Sequence, residues 1–246
     1  MMPSYDFKKI KYVTDRPTFE RAMALYEKRK VTRFGEDVSG YSALVLGGKS
    51  YQVSVSARHF NQGHCDCYLG EKDVLCKHMV ALALQAVLKG KKIKEEDKEP
   101  VGEVRLSGRL GILTKEETAE VKKEISAAAR LIKSYTGPSR TWFAYQNSLS
   151  EGCNLLSEVV SKLPVSTQTA DLLVKLLLRL DKKLCTGGVD DSDGTVGGFI
   201  QEAVQILVEF VKIDPNCLKT FEQLCKQSTC FGWEGELVRM WDERDL

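Results

Sequence analysis

Four residues in one short stretch carry the most specific chemistry in the chain. Residues 65–78 read CDCYLGEKDVLCKH and offer Cys65, Cys67, Cys76 and His78 as metal donors. The pattern is Cys-x-Cys, eight residues, then Cys-x-His. Three thiolates and one imidazole suit tetrahedral zinc, and four protein ligands close its coordination shell. A zinc held this way is structural, because a catalytic zinc keeps a position open for water or substrate. All three histidines (His59, His64 and His78) fall in this region. His64 is a rival fourth ligand, and His78 is preferred for its place beside Cys76.

The second pair constrains the element that carries it. Residues i and i+2 of a helix point about 200° apart, so Cys76 and His78 cannot both ligate from mid-helix. Cys76 must stand at or before the first turn of the helix that MVALALQAVL predicts. A zinc with three thiolates carries a net negative charge, which a helix N-terminus favours. Upstream, Tyr41, Ala43 and Val45 alternate with Ser42, Leu44 and Leu46. Tyr51, Val53, Val55 and Ala57 alternate with polar partners in the same way. Gly47-Gly48 between the two runs signals a hairpin, so the finger reads as ββα.

A strand pair, CxC, a spacer, CxH and an apolar helix together resemble the SWIM zinc finger over about residues 41–90. That resemblance implies zinc bound by Cys65, Cys67, Cys76 and His78, and a role in binding DNA or protein. It is silent on the rest of the chain.

The 246 residues are 43% hydrophobic and 28% charged, so they can bury a core and form more than one domain. No apolar run reaches the length of a membrane span, and the first residues lack the apolar core of a signal peptide. Eight cysteines without an export signal point to a reducing compartment, cytoplasmic or nuclear. Charge is uneven. Lys8, Lys9, Lys11, Arg16, Arg21, Lys28, Arg29, Lys30 and Arg33 face only Asp15, Glu20 and Glu27 over residues 8–33. Such a patch can neutralise phosphates. Part of it lies on a helix expected at 18–30, capped by Thr18, with Phe19, Ala22, Met23 and Tyr26 on its apolar face.

Three domain-level segments follow: residues 1–90 with the N-terminal helix and the finger, a charged linker over 91–100 ending at Pro100, and helices over 101–246. Thr114 and Glu117 form a capping box for a helix to about residue 134. Further helices are expected from after Pro138 to about 162, and near 167–185, 197–212, 216–227 and 233–242. The fold class is α+β, a small ββα zinc-finger domain followed by an all-α helical bundle or short α-solenoid.

Other motifs carry less. Gly48-Lys49-Ser50 resembles the end of a phosphate-binding loop, but Ala43 stands where glycine is required and a strand pattern follows. The glycine- and aspartate-rich stretch 187–198 lacks the glutamate of a calcium loop, with Ile200 in its place. It reads as a connection with Asp193 near the next helix start. Arg140, Trp142, Phe143 and Tyr145 form an aromatic cluster that reads as core. Cys153, Cys185, Cys217, Cys225 and Cys230 lack ligand spacing and read as buried thiols. No hydrolase or deaminase signature is present, so an enzyme is not expected. The expectation is a zinc protein that binds nucleic acid, DNA first, through the finger and Lys8, Lys9, Lys11, Lys28, Arg29, Lys30 and Arg33. The alternative is an adaptor that binds a protein partner.

Overall fold

The computed structural model describes residues 2–98, 104–138 and 141–245. The readings on Pro100 and Arg140, and on the side chain of Phe143, lie outside the described residues. The chain divides into two compact units, Met1–Val101 and Gly102–Leu246.

The first unit is layered around one helix. Strands β1 (Val31–Glu36), β2 (Gly40–Leu46), β3 (Ser50–Ser56) and β4 (Gly63–Cys65) form an antiparallel sheet in the order β1-β2-β3-β4. Two of these strands, β1 and β4, were not expected from the sequence. Helices α1 (Phe7–Val13) and α2 (Arg16–Glu27) form the opposite layer, and α3 (Lys77–Leu88) runs between the two. On one side α3 packs with Ile10, Phe19, Ala22, Met23 and Tyr26, and on the other with Tyr41, Val45, Val53 and Val55. This explains its composition: six consecutive residues, Met79 to Leu84, are buried. A helix apolar all round belongs inside a core.

The N-terminal helices differ from the expectation. Asp6 caps α1, accepting from the Lys9 amide at 2.8 Å. Asp15, not Thr18, caps α2, and the Thr18 N–H is the donor at 2.9 Å. Pro17 sits in the first turn, where its missing N–H costs nothing, so the helix begins earlier than its apolar periodicity suggests. The expected linker is also partly anchored. Tyr26 Oη donates to the Lys91 carbonyl at 2.7 Å, Ile93 is buried with α1 to α3, and the short helix α4 (Glu95–Lys98) brings Lys98 to Glu27.

The second unit is helical: α5 (Lys115–Leu131), α6 (Trp142–Lys162), α7 (Thr167–Cys185), α8 (Thr195–Ile213) and α9 (Gly235–Asp242). Thr114 and Glu117 form the expected capping box. Residues Pro215–Leu224 form a 3-10 helix rather than an α-helix. One continuous core joins these elements, with α8 packed against both α6 and α7. In the 187–198 connection Asp191 takes the capping role. Its carboxylate accepts the Val196 and Gly197 amides at 2.7 and 2.8 Å, while Asp193 accepts the Thr195 amide at 3.2 Å. Tyr145 is buried and Trp142 donates to Asp190 at 2.9 Å, so both serve packing. Cys153 and Cys217 are buried, but Cys225 is exposed, and Cys185 and Cys230 are exposed and joined in a disulfide. The reading of all five as buried thiols is corrected at those three positions. Among the described residues no helix is long and apolar enough to cross a membrane.

Candidate metal centre and its basic surroundings

The sheet delivers the first pair of donors. Val53 pairs with Cys65 and Ser54 with His64 across β3 and β4. Adjacent strand residues face opposite sides, so Cys65 enters the core while His64 stays exposed on the outer face. That alternation removes His64 from the donor set. After Cys67 the chain makes a 3-10 turn over Gly70–Lys72 and passes through Asp73 in a left-handed conformation (φ 57°). Gly70 packs directly on the first donor. A Cβ there would lie 2.2 Å from the Cys65 carbonyl oxygen and 2.6 Å from its Cβ, so no other residue fits without moving the turn.

The second pair arrives on α3. Cys76 is its N-cap residue, with extended backbone (φ −115°, ψ 161°), and His78 lies in the first turn. This is the placement that the Cys-x-His spacing requires. Cys65, Cys67, Cys76 and His78 are all buried, and their donor atoms lie within 4.8 Å of one another. His78 Nδ1 stands 3.7 Å from Cys65 Sγ and 3.9 Å from Cys76 Sγ. Zinc–sulfur and zinc–nitrogen bonds of about 2.3 and 2.0 Å give a tetrahedron with edges of about 3.5–3.8 Å. The donors present therefore fit Zn2+, which His78 would hold through Nδ1.

The surroundings prepare the donors unequally. Burial pushes the Cys65 and Cys76 thiols up. Burial also opposes the Cys67 thiolate, but the Gly70 and Leu69 amides and the two neighbouring thiols outweigh it, so Cys67 is lowered. The Gly70 amide reaches Cys67 Sγ at 3.4 Å. Burial first, and the charge of Lys77 second, depress His78 to about 4. The imidazole is therefore neutral at pH 7, with a lone pair for a metal. Tyr51 stacks on it, ring centroids 4.1 Å apart, and Lys49 Nζ lies 5.3 Å from the Tyr51 ring. His78 Nε2 is buried without a hydrogen-bond partner among the described residues. It lies beside Gly47, where an added Cβ would come within 3.2 Å. Gly47, Tyr51 and Gly70 escaped notice as site residues in the sequence. Its place in phase with Val53 and Val55, alternating with polar residues, was the one signal that set Tyr51 on the core side.

The basic residues fall into groups. Lys28, Arg29 and Lys30 form the turn from α2 into β1, and Arg33 lies within β1. All four are exposed and make no ion pair among the described residues. The Lys30 carbonyl accepts the Leu46 amide at 2.9 Å, which fixes this turn next to the Gly47–Lys49 hairpin and hence to the His78 side of the finger. Lys8 and Lys9 are exposed on α1 and Lys11 is half-buried there, with Lys8 Nζ 5.4 Å from the Tyr12 ring. Helix α1 packs on α3, and the preceding Ser4 amide donates to Ala57, just past the end of β3 away from the hairpin. Arg16 pairs with Glu20 and Arg21 donates to the Pro17 carbonyl. The residues between the cysteine pairs expose Tyr68, Leu69 and Val74.

Residues 51–86 match the family model described as SWIM zinc finger, a span that includes all four donors. The chain carries a SWIM zinc finger there. No curated protein and no solved structure matches the chain.

Proposed function

We propose that this protein binds nucleic acid, DNA in the first place, through the zinc finger and the basic residues around it, with zinc in a structural role and no reaction of its own. The observation that carries this reading is the exposed turn Lys28-Arg29-Lys30, which makes no ion pair among the described residues. It is bonded to the strand end beside Gly47, which itself lies over the metal ligand His78. Exposed cations without carboxylate partners lose little on meeting phosphate and release counterions when they do. A bound zinc would fix His78, on which Tyr51 of β3 stacks, and so would hold the hairpin against which the turn is fixed.

The test is the salt dependence of DNA binding by the full chain and by the triple variant Lys28→Glu, Arg29→Glu, Lys30→Glu. Each phosphate contact adds about 0.9 to the slope of log affinity against log salt. The variant should bind more weakly, with a slope shallower by about 2–3, and retain its zinc. Unchanged affinity and slope would remove the turn from the binding surface. A second reading, a protein adaptor, draws on exposed Tyr68, Leu69 and Val74 in the metal-closed loop. It predicts a protein partner whose capture is lost in Tyr68→Ser, and no DNA binding at moderate salt.

A further inference from the structure

We propose that the outer face of the β1–β4 sheet is a seat for single-stranded nucleic acid, an inference that rests on the nucleic-acid reading above and specifies its ligand. One face of the sheet is filled by α3, and the other is exposed. Across it runs a shallow cleft of about 320 Å³ lined by Arg33, Ser42, Leu44, Gln52, Ser54 and His64, with the buried Ala43 and Val53 between them. The register sets Ser42, Ser54 and His64 in one row and Leu44 beside Gln52 in the next.

The chemistry of this lining selects the occupant. Hydroxyl, amide, imidazole and guanidinium groups supply donors, no carboxylate is among the lining residues, and the nearby Asp66 carboxylate is engaged by the Gln52 backbone amide at 3.1 Å. Of its apolar lining residues Ala43 and Val53 are buried in the core and Leu44 is half-buried, too little exposed apolar surface for a protein interface, whose centre is apolar. Arg33 adds a second observation. It sits in the bulge between Thr32 and Gly35 with φ 50°, a left-handed conformation that is uncommon outside glycine. Bulges re-aim side chains, and this one puts the guanidinium at the cleft. Arg33 forms no ion pair among the described residues, and it lies three residues after Lys30. Free positive charge therefore runs from the turn into the cleft.

Four strands spaced about 4.8 Å apart make a face about 14 Å wide. A flexible single strand can lay its backbone along such a cleft, as positively charged grooves do for single strands. A duplex offers a convex wall and touches a shallow face over less of its surface. His64 is the one aromatic ring among the lining residues, so stacking engages few bases and base preference is weak.

The experiment is fluorescence anisotropy of the full zinc-loaded chain. The probes are a single-stranded oligo(dT), a single-stranded oligo(U), and a DNA duplex of equal length. Three variants are compared with the wild type: Gln52→Glu with Ser54→Glu; Arg33→Gly, which removes the cation and suits the left-handed backbone; and the Lys28/Arg29/Lys30 triple reversal. Zinc content and thermal melting verify folding. Wild type should bind single strands about 10-fold tighter than duplex. The Gln52/Ser54 variant should lose about 10-fold, and Arg33→Gly about 3- to 10-fold, on single strands. Photo-crosslinking of a bromouracil-substituted strand should label the tryptic peptide Ser50–Arg58. If wild type binds nucleic acid but the sheet-face variants bind single strands as it does, or duplex binds as tightly, the sheet-face inference falls and the broader reading stands. If wild type binds none of the three probes at low salt, both fall.

Discussion

Burial holds Cys65 and Cys76 protonated at neutral pH in the metal-free chain, whereas a metal takes the thiolate. Each of the two must therefore give up a proton when zinc binds, and lowering the pH opposes binding. His78, depressed to about 4, gives up no proton over the same range. Zinc affinity should fall at least about 100-fold per unit of acidification between about pH 8 and pH 6, more where Cys67 also carries a proton, measured by competition with a chromophoric chelator. An affinity flat across that window contradicts the burial argument. Gly70 offers a separate check. The clash that a Cβ would make with the Cys65 carbonyl must shift the turn that orients Cys67. Gly70→Ala should weaken zinc binding about 10- to 100-fold, the range seen when groups supporting a ligand are lost. Equal affinity in that variant would show that the turn has slack.

At the scale of elements, strength comes from side chains that tie one segment to another. Asp181 of α7 is buried, and its Oδ1 accepts the Cys230 amide at 2.9 Å and the Trp233 Nε1–H at 3.0 Å. Removing the carboxylate strands two donors, so Asp181→Ala should destabilise the helical unit by about 3 kcal/mol, read from urea unfolding. A loss under about 1 kcal/mol, the usual worth of a single helix cap, would mean that water or movement replaces those bonds. The elements also differ in how far the sequence revealed them. Gly47-Gly48 marked the hairpin, Thr114 and Glu117 marked the start of α5, and the Cys-x-His spacing placed Cys76 at the start of α3. Strand β4 is only three residues long, too short for alternation to register. In β1 the bulge at Arg33 breaks the alternation. Helix α1 hides Ile10 and Val13 among Lys8, Lys9 and Lys11. The apolar spacing of 215–224 suits both α and 3-10 geometry, and Cys185 and Cys230 meet only through the tertiary fold, 45 residues apart.

At the scale of the molecule, metal dependence should be confined to one unit. The first unit places its metal donors between the sheet and α3, and zinc in such sites is worth about 10–16 kcal/mol, comparable to the whole stability of a domain. The second unit has its own core. Chelation should abolish the unfolding transition of the first unit, and residues 102–246 expressed alone should keep their helical signal with no metal present. Loss of that signal on chelation would place the boundary elsewhere. The central claim is that a zinc-held surface meets nucleic acid. Binding of labelled DNA by the full chain, measured zinc-loaded, after zinc removal and after zinc is restored, tests it most directly. Affinity should fall about 10-fold or more on removal and return with the metal; a zinc-free chain that binds with the same affinity and the same salt slope would contradict it.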